Sequence, residues 1–382
     1  MTGSQISGCE LEIIQAAING KTADFRDRRD SAGQAATMVI RGYVIRHLLI
    51  GLPLPTQADK PAAPITRHTI TSSGVRVRGA RIEGVLDLSD CAGRDGNGCF
   101  PLLLEDCILT GEDEGAYQDP SARPQPTLDA RHAILSRLSL KNCRAGFIDL
   151  TDAELLGDLE LDGLKALSEG GQCRVEAKNT RIDGSIKAST VNLNLRQARI
   201  DKSETTPADY ALALGGAEIA GSVLLRPGFV ADGGVSIINA HIKGDLWADG
   251  AHLIAQGNYA LHGQFAHVDG VLGLTCLFTR APEADPEESH NQSLPPERFR
   301  ADGAVSFLSA ELGSLNLRGA FLHRKADEEI NTFILSLASV RQTVYMNQWS
   351  SFNEQGESSL IPFEADYNVN FEGTKIAGSL VA

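Results

Sequence analysis

Residues 74–91 read G-V-R-V-R-G-A-R-I-E-G-V-L-D-L-S-D-C, and this stretch decides the fold of the chain. Val75 and Val77 alternate with arginines, the register slips once at Gly79, and a second alternation of apolar and charged residues continues to Leu88. A period of two residues predicts β-strand, and a glycine inside the pattern predicts a bend. The stretch is therefore predicted to be strand bent at a glycine, with one buried and one exposed face.

The centre of this stretch, Ala80-Arg-Ile-Glu-Gly84, has the form small-x-Ile/Leu-x-Gly and recurs along the chain. A coil of about 20 residues cannot bury its own apolar edge, but stacked coils bury it in a continuous row, with paired strands about 4.8 Å apart. Parallel crossovers are almost always right-handed. The sequence therefore predicts a mainly β protein, a right-handed parallel β-helix or solenoid of about twelve coils. The candidate cores are 80–84, 107–111, 133–137, 153–157, 180–184, 198–202, 217–221, 240–244, 266–270, 310–314, 339–343 and 374–378.

The recurring core resembles the pentapeptide-repeat motif A-[DN]-L-x-x. In that family the pentapeptides run back to back, four to a square coil, whereas here one core usually falls in each coil. The chain thus looks like a looser relative of pentapeptide-repeat and other right-handed parallel β-helix proteins over about residues 74–382. The resemblance implies the fold, and it implies nucleic-acid mimicry as one function, because gyrase-binding members of the family act in that way.

The first 70 residues differ from the repeat array. Ser7-Gly8-Cys9-Glu10 is a capping box in front of a short helical stripe, and residues 31–50 have the apolar pattern of a second helix. We expect residues 1–70 to form a helical N-terminal capping region with a proline-rich linker, and residues 71–382 to form the β-helix. The β-helix is expected to carry loop insertions near 112–126, 202–209, 279–298, 322–331 and 351–366.

Charge and cysteine content restrict the function. The 382 residues carry a net charge of −14, which repels phosphate backbones, so direct nucleic-acid binding is not expected. Seven cysteines without a C-x-x-C motif favour reduced thiols in the cytoplasm of a bacterial-type cell.

The N-terminus lacks a signal pattern, and the most apolar window, residues 43–54, is too short to span a bilayer. We therefore expect a cytoplasmic protein without membrane association.

Two groups of side chains are candidate sites. His241 and His267 occupy the same repeat position in adjacent coils, and with Asp269 they form a candidate transition-metal site; an exposed polar ladder is the alternative explanation. Asp149, Asp152, Asp158 and Glu160 are the best candidates for catalytic carboxylates, because hydrolases and lyases on β-helices place acids along one ladder. No cofactor motif occurs, so no cofactor is predicted.

The preferred function is a non-catalytic scaffold for protein–protein interaction or self-assembly. A protein partner is expected on a ladder face or an insertion, or through self-association of the C-terminal coil, because the sequence stops in mid-strand unless the natural chain continues beyond Ala382. Nucleic-acid mimicry is a variant of this function. The alternative is a carbohydrate-active lyase or hydrolase with a carboxylate groove along the coils.

Overall fold

The computed structural model describes residues 6–28, 38–52, 70–93, 98–111, 125–169, 171–195, 210–277, 297–323, 332–352, 358–366 and 368–382. These residues are mainly β and form long parallel sheets, as the period-two pattern predicts. The proline-rich linker, the core at 198–202 and the predicted insertion at 202–209 lie outside the described residues, as do most of the insertions at 112–126, 279–298 and 322–331. Of the predicted insertion at 351–366, only residues 353–357 lie outside them. Within the described ranges, no helix is long and apolar enough to cross a membrane.

The N-terminal region contains helices α1 (Gly8–Ile18) and α2 (Gly42–Ile50). The predicted capping box of α1 is present: Ser7 Oγ accepts from the Glu10 backbone N–H, and the Glu10 carboxylate accepts from the Ser7 N–H. The prediction of a helix over 31–50 was wrong at its start, because Met38–Arg41 is a strand that pairs in parallel with Ala80–Glu83. The pairing of Met38–Arg41 with this neighbouring strand outweighs the helical pattern of its sequence, and α2 therefore begins only at Gly42.

The described residues divide into two compact units, of which unit 1 comprises Met1–Gly184 and Leu193–Pro207. Its strands are β1 (Ala23–Asp24), β2 (Met38–Arg41), β3 (Val75–Arg78), β4 (Ala80–Glu83), β5 (Leu86–Asp87), β6 (Leu102–Glu105), β7 (Ile108–Leu109), β8 (Leu128–Asp129), β9 (Ile134–Leu135), β10 (Leu138–Lys141), β11 (Phe147–Asp149), β12 (Glu154–Leu155), β13 (Leu159–Glu160), β14 (Arg174–Glu176) and β15 (Arg181–Ile182). They form the parallel ladders β3–β6–β10–β13, β9–β12–β15, β5–β8–β11–β14 and β2–β4–β7.

Unit 2 comprises Ser185–Asn192 and Ala208–Ala382. The strands of this part of the chain, with β17 at the boundary, are β16 (Ile186–Lys187), β17 (Asn192–Asn194), β18 (Leu212–Ala213), β19 (Glu218–Ile219), β20 (Val223–Leu224), β21 (Val230–Asp232), β22 (Val235–Ser236), β23 (His241–Ile242), β24 (Leu246–Trp247), β25 (His252–His262), β26 (His267–Gly273), β27 (Cys276–Leu277), β28 (Glu297–Arg298), β29 (Arg300–Ser306), β30 (Glu311–Asn316), β31 (Phe321–His323), β32 (Phe333–Ile334), β33 (Ser339–Val340), β34 (Val344–Tyr345), β35 (Trp349–Phe352), β36 (Ser358–Ile361), β37 (Glu364–Ala365), β38 (Val369–Asn370), β39 (Lys375–Ile376) and β40 (Leu380–Val381).

Aliphatic residues at the third position of the cores form in-register buried rows within each unit. In unit 2 the row consists of Ile219, Ile242, Val268, Leu312 and Val340, each at most 1% exposed. Each such side chain contributes about 1.5–3 kcal/mol on burial. The predicted row of stacked core residues is therefore confirmed for these strands.

The opening stretch is three strands in three different sheets rather than one bent strand. β3, β4 and β5 are separated by Gly79 and Gly84, both of which have positive φ. The apolar residues Ile82, Leu86 and Leu88 are fully buried while their neighbours face outward, as the alternation predicts. Positive φ at the two glycines changes the direction of the chain and assigns each strand to its own ladder.

In each repeat that the structure describes, the sharp turn lies one residue before the small residue of the core. These turn residues share a left-handed backbone conformation; they are Gly79, Asp106, His132, Asp152, Asn179, Gly216, Asn239, Phe265, Ser309, Leu337 and Gly373. The glycine at the end of the core has a different role. At Gly244 a Cβ atom would lie 2.6 Å from the Gly221 carbonyl oxygen, so glycine is needed for close approach of successive strands.

The predicted core at 339–343 is displaced by one residue. Ser339 pairs with Glu311 and Lys375 on the outer face, whereas Ala338 is buried in the small position. The core is therefore 338–342, and Arg341 occupies its fourth position. The absence of the usual glycine explains why the sequence pattern alone gave the wrong register.

Candidate functional site

Two histidines and an aspartate form a cluster on the outer face of unit 2. β23 and β26 pair in register, which places His241 beside His267 with ring centroids 4.6 Å apart. Asp269 follows His267 by two residues and faces the same side of the strand. Its Oδ2 lies 3.2 Å from His241 Nε2, and its Oδ1 lies 3.0 Å from His267 Nε2. The two histidines therefore lie at equivalent positions of neighbouring strands, as their shared repeat position predicts.

Two further charged residues complete this histidine cluster. Glu311 is the in-register neighbour of His267 on β30, and its Oε2 lies 3.5 Å from His267 Nδ1. Arg341 donates to Asp269 Oδ1 at 2.8 Å and to the Asp269 carbonyl oxygen at 3.0 Å. The hydrogen bond from Arg341, supported by those of the two histidines, lowers the pKa of Asp269 to about 2. The carboxylate is therefore ionised throughout the physiological range.

Sequence reasoning missed Arg341, although the signal was present in the repeat. Asp269 and Arg341 both occupy the fourth position of their cores, and the residue between them in the ladder is Gly313. Glycine carries no side chain, so the guanidinium of Arg341 spans the intervening strand. Placing the core at 338–342 instead of 339–343 would have brought Arg341 into this row.

A second candidate site is a groove of about 210 Å³ in unit 1, over the ladder β3–β6–β10–β13. Leu103 contributes to its apolar surface. Four cations and two carboxylates line it, namely Arg76, Arg78, Arg137, Lys141, Glu105 and Glu160, and we call it the basic groove. Local positive charge in a chain of net charge −14 marks this surface as distinct from the rest.

The two carboxylates of the basic groove are held by its cations. Arg78 Nε donates to Glu105 at 2.6 Å, and Glu160 pairs with Arg137 and, at 3.5 Å, with Lys141. Burial alone would raise the pKa of Glu160, but hydrogen bonds from Ser139 and Arg137 and the two nearby cations outweigh it and lower that pKa. Glu160 is therefore suited to ion pairing rather than to proton donation near neutral pH.

The four predicted catalytic acids are distributed over two sheets. Asp149 lies in β11, in register with Asp129 and Glu176, and Asp152 lies in the turn that follows β11, where Asn179 donates to it. Asp158 and Glu160 lie at β13, which pairs instead with β10. The fold therefore brings Asp149 next to other acids than those predicted.

The repeat pattern predicts that Asp87 occupies the same strand position as Ser139 and Glu160, and this assignment was wrong. Asp87 does not share a row with Ser139 and Glu160 but begins an acidic row of Asp87, Asp129, Asp149 and Glu176. Arginine and lysine side chains pair with this row; they are Arg46, Arg131, Arg174 and Lys178. The acids of these strands are thus largely neutralised within the chain.

All seven cysteines are free, which agrees with the expectation of reduced thiols. Cys107 takes the small position of its core, as predicted, and it is 1% exposed. Its thiol donates to backbone carbonyl oxygens, as do those of Cys143 and Cys276. Their small size and their burial in the array explain why cysteine occurs at these positions.

Comparison of the chain with protein-family models, with curated proteins and with solved structures found no match.

Proposed function

We propose that the chain is a right-handed parallel β-helix of the pentapeptide-repeat-like kind and acts as a non-catalytic scaffold that binds a partner protein. In-register parallel ladders with one core per repeat support the fold. The basic groove supports the function, because it is a concave surface with a cationic excess of two side chains. Charge complementarity identifies the occupant as an acidic segment of the partner.

The geometry of the groove favours binding of an extended segment. β3, β6, β10 and β13 present their outward residues at the regular strand spacing of about 4.8 Å. Arg76 and Leu103 are in-register neighbours on one such row, and Arg78, Glu105 and Lys141 form the next. A partner segment with carboxylates can pair with Arg76 and Lys141 while its apolar side chains contact Leu103.

Binding of a fluorescein-labelled hexaglutamate peptide, measured by fluorescence anisotropy, tests this proposal. The double variant Arg76→Gln/Lys141→Gln retains the Arg137–Glu160 pair and is expected to bind about tenfold more weakly, since each half-exposed charge contributes up to ~1 kcal/mol. Lys178→Gln removes a lysine that lies outside the groove, and it should bind like the wild type. Absence of saturable binding, or equal binding by the double variant, would refute the proposal.

Two other functions are less well supported. The paired acidic row of unit 1 does not offer a run of free carboxylates, so it gives little support to nucleic-acid mimicry. The separation of Asp149 and Asp152 from Asp158 and Glu160 likewise gives little support to a carbohydrate-active lyase or hydrolase. Self-association through β39 and β40 and a cytoplasmic location remain predictions, which native mass spectrometry and cell fractionation would test.

A further inference from the structure

The histidine cluster lies in unit 2, whereas the basic groove lies in unit 1, so a role for the cluster does not depend on the proposed scaffold function. We propose that His241, His267 and Asp269 bind one divalent first-row transition-metal ion, of the zinc, cobalt or nickel class, on the outer face of β23 and β26. Imidazole nitrogen and carboxylate oxygen are suitable ligands for these ions. The three ligand atoms lie within 4.8 Å of one another.

The distances fit a tetrahedral ion. Metal–nitrogen and metal–oxygen bonds of about 2.0–2.1 Å at a tetrahedral angle place neighbouring ligand atoms about 3.3 Å apart. His241 Nε2 lies 3.2 Å from Asp269 Oδ2, and His267 Nε2 lies 3.0 Å from the other oxygen, Oδ1. Rotation of the two imidazoles and of the carboxylate directs both Nε2 atoms and one carboxylate oxygen at a common point, from separations of at most 4.8 Å.

Neighbouring residues orient these ligands. Glu311 Oε2 lies 3.5 Å from His267 Nδ1, and a shortening of this contact to a hydrogen bond would fix the tautomer of the histidine. Arg341 holds Asp269 through Oδ1 and the backbone, which leaves Oδ2 for the ion. The side chains of His241, His267 and Asp269 are between 35% and 39% exposed, so an ion can enter and water can fill the fourth position.

The ion would link two neighbouring strands. His241 belongs to β23, and His267 and Asp269 belong to β26, so binding ties successive repeats together across the outer face. The backbone ladder beneath joins the same strands through the hydrogen bond from the His267 N–H to the Ala240 carbonyl oxygen. The ion is therefore expected to raise the melting temperature of the folded chain without being required for folding.

Titration of the untagged full chain with Co²⁺, followed by absorption spectroscopy and calorimetry, tests the site. We expect one saturable ion per chain with a d–d spectrum of nitrogen and oxygen ligands, and a rise in melting temperature. His241→Gln and His267→Gln should each weaken binding at least about tenfold. His132→Gln is the matched control, because His132 is an exposed histidine of unit 1 and should leave binding unchanged.

Three results would overturn the inference: no saturable binding, undiminished binding by the His241→Gln/His267→Gln double variant, or a thiolate-to-cobalt charge-transfer band that assigns the ion to a cysteine. Circular dichroism establishes that each variant is folded. If the double variant fails to fold, Asp269→Asn removes the carboxylate with little change of shape, and it too must weaken Co²⁺ binding at least about tenfold.

Discussion

At the residue scale, the array depends on the left-handed turn residue that precedes each core. Asparagine and glycine tolerate this conformation, and several turns contain them. Leu337 and Phe265 adopt it as large apolar residues that are 65% and 54% exposed. These two positions therefore carry backbone strain without a compensating gain from burial.

Leu337→Asn is expected to stabilise the chain by about 0.5–1 kcal/mol, because asparagine adopts a positive φ at lower cost and little apolar contact is lost. Thermal and urea unfolding measure the change. Leu156 is another exposed leucine, but its φ is not positive, so Leu156→Asn should not produce the gain. A gain of equal size in both variants would show that removal of surface hydrophobicity, rather than relief of strain, is the cause.

The buried Glu10 gives the N-terminal region a pH dependence. Burial alone would raise the pKa of Glu10, but hydrogen bonds from the Arg41 side chain and from the Ser7 and Arg41 backbone N–H groups lower it below the unfolded value. The unfolded state therefore binds more protons at low pH, so this contribution is complete above the unfolded pKa of about 4.3 and is lost as pH falls through the folded pKa.

Glu10→Gln should destabilise the chain by about 2 kcal/mol at pH 7, since charged hydrogen bonds to Arg41 are lost. The difference between wild type and variant should shrink as the pH is lowered from 5 to 3. Urea unfolding at several pH values, followed by circular dichroism, measures this difference. A constant difference over that range would show that the ionisation of Glu10 does not contribute.

At the element scale, neighbouring strands approach closely at the core glycine. Gly244→Ala would place a Cβ atom 2.6 Å from the Gly221 carbonyl oxygen and 2.5 Å from Ser222 Oγ. The backbone must move, so we expect a loss of about 1–3 kcal/mol. In Gly215→Ala the nearest atom, the Ile238 carbonyl oxygen, would lie 3.6 Å away, and stability should be unchanged or slightly improved.

Unfolding in denaturant distinguishes these outcomes for the Gly244 and Gly215 variants. If both alanines cost the same, the destabilisation would come from a general loss of glycine rather than from strand approach. A large effect at Gly244 alone would show that the recurring glycine sets the contact between repeats.

At the scale of the whole molecule, a chain of net charge −14 contains a local basic groove. An acidic peptide is attracted at short range and repelled by the overall charge. Screening acts over about 10 Å at 0.1 M salt and about 3 Å at 1 M. We expect the affinity for hexaglutamate to fall steadily between 0.1 and 1 M NaCl, as measured by anisotropy. Affinity independent of salt would mean that Leu103 and other apolar contacts, not charge, hold the peptide.

The predictions that succeeded from sequence are local ones. The capping box at Ser7 and Glu10 and the alternation around Ile82 depend on contacts within a few residues. The neighbouring positions of His241 and His267 follow from their shared place in consecutive repeat cores. The predicted start of α2 and the predicted row of Asp87 were wrong, because both depend on pairing between strands that lie far apart in the sequence.

The sequence by itself determined that this chain is mainly β, with parallel strands and buried aliphatic rows, because a two-residue period and a recurring core specify which side chains face inward. Only the tertiary structure decided which outward side chains meet. Arg341 reaches Asp269 across 72 residues, and Arg76 joins Lys141 in one groove. Insertions of unequal length separate the repeats, so the position of an outward residue follows from strand register and not from its distance along the chain.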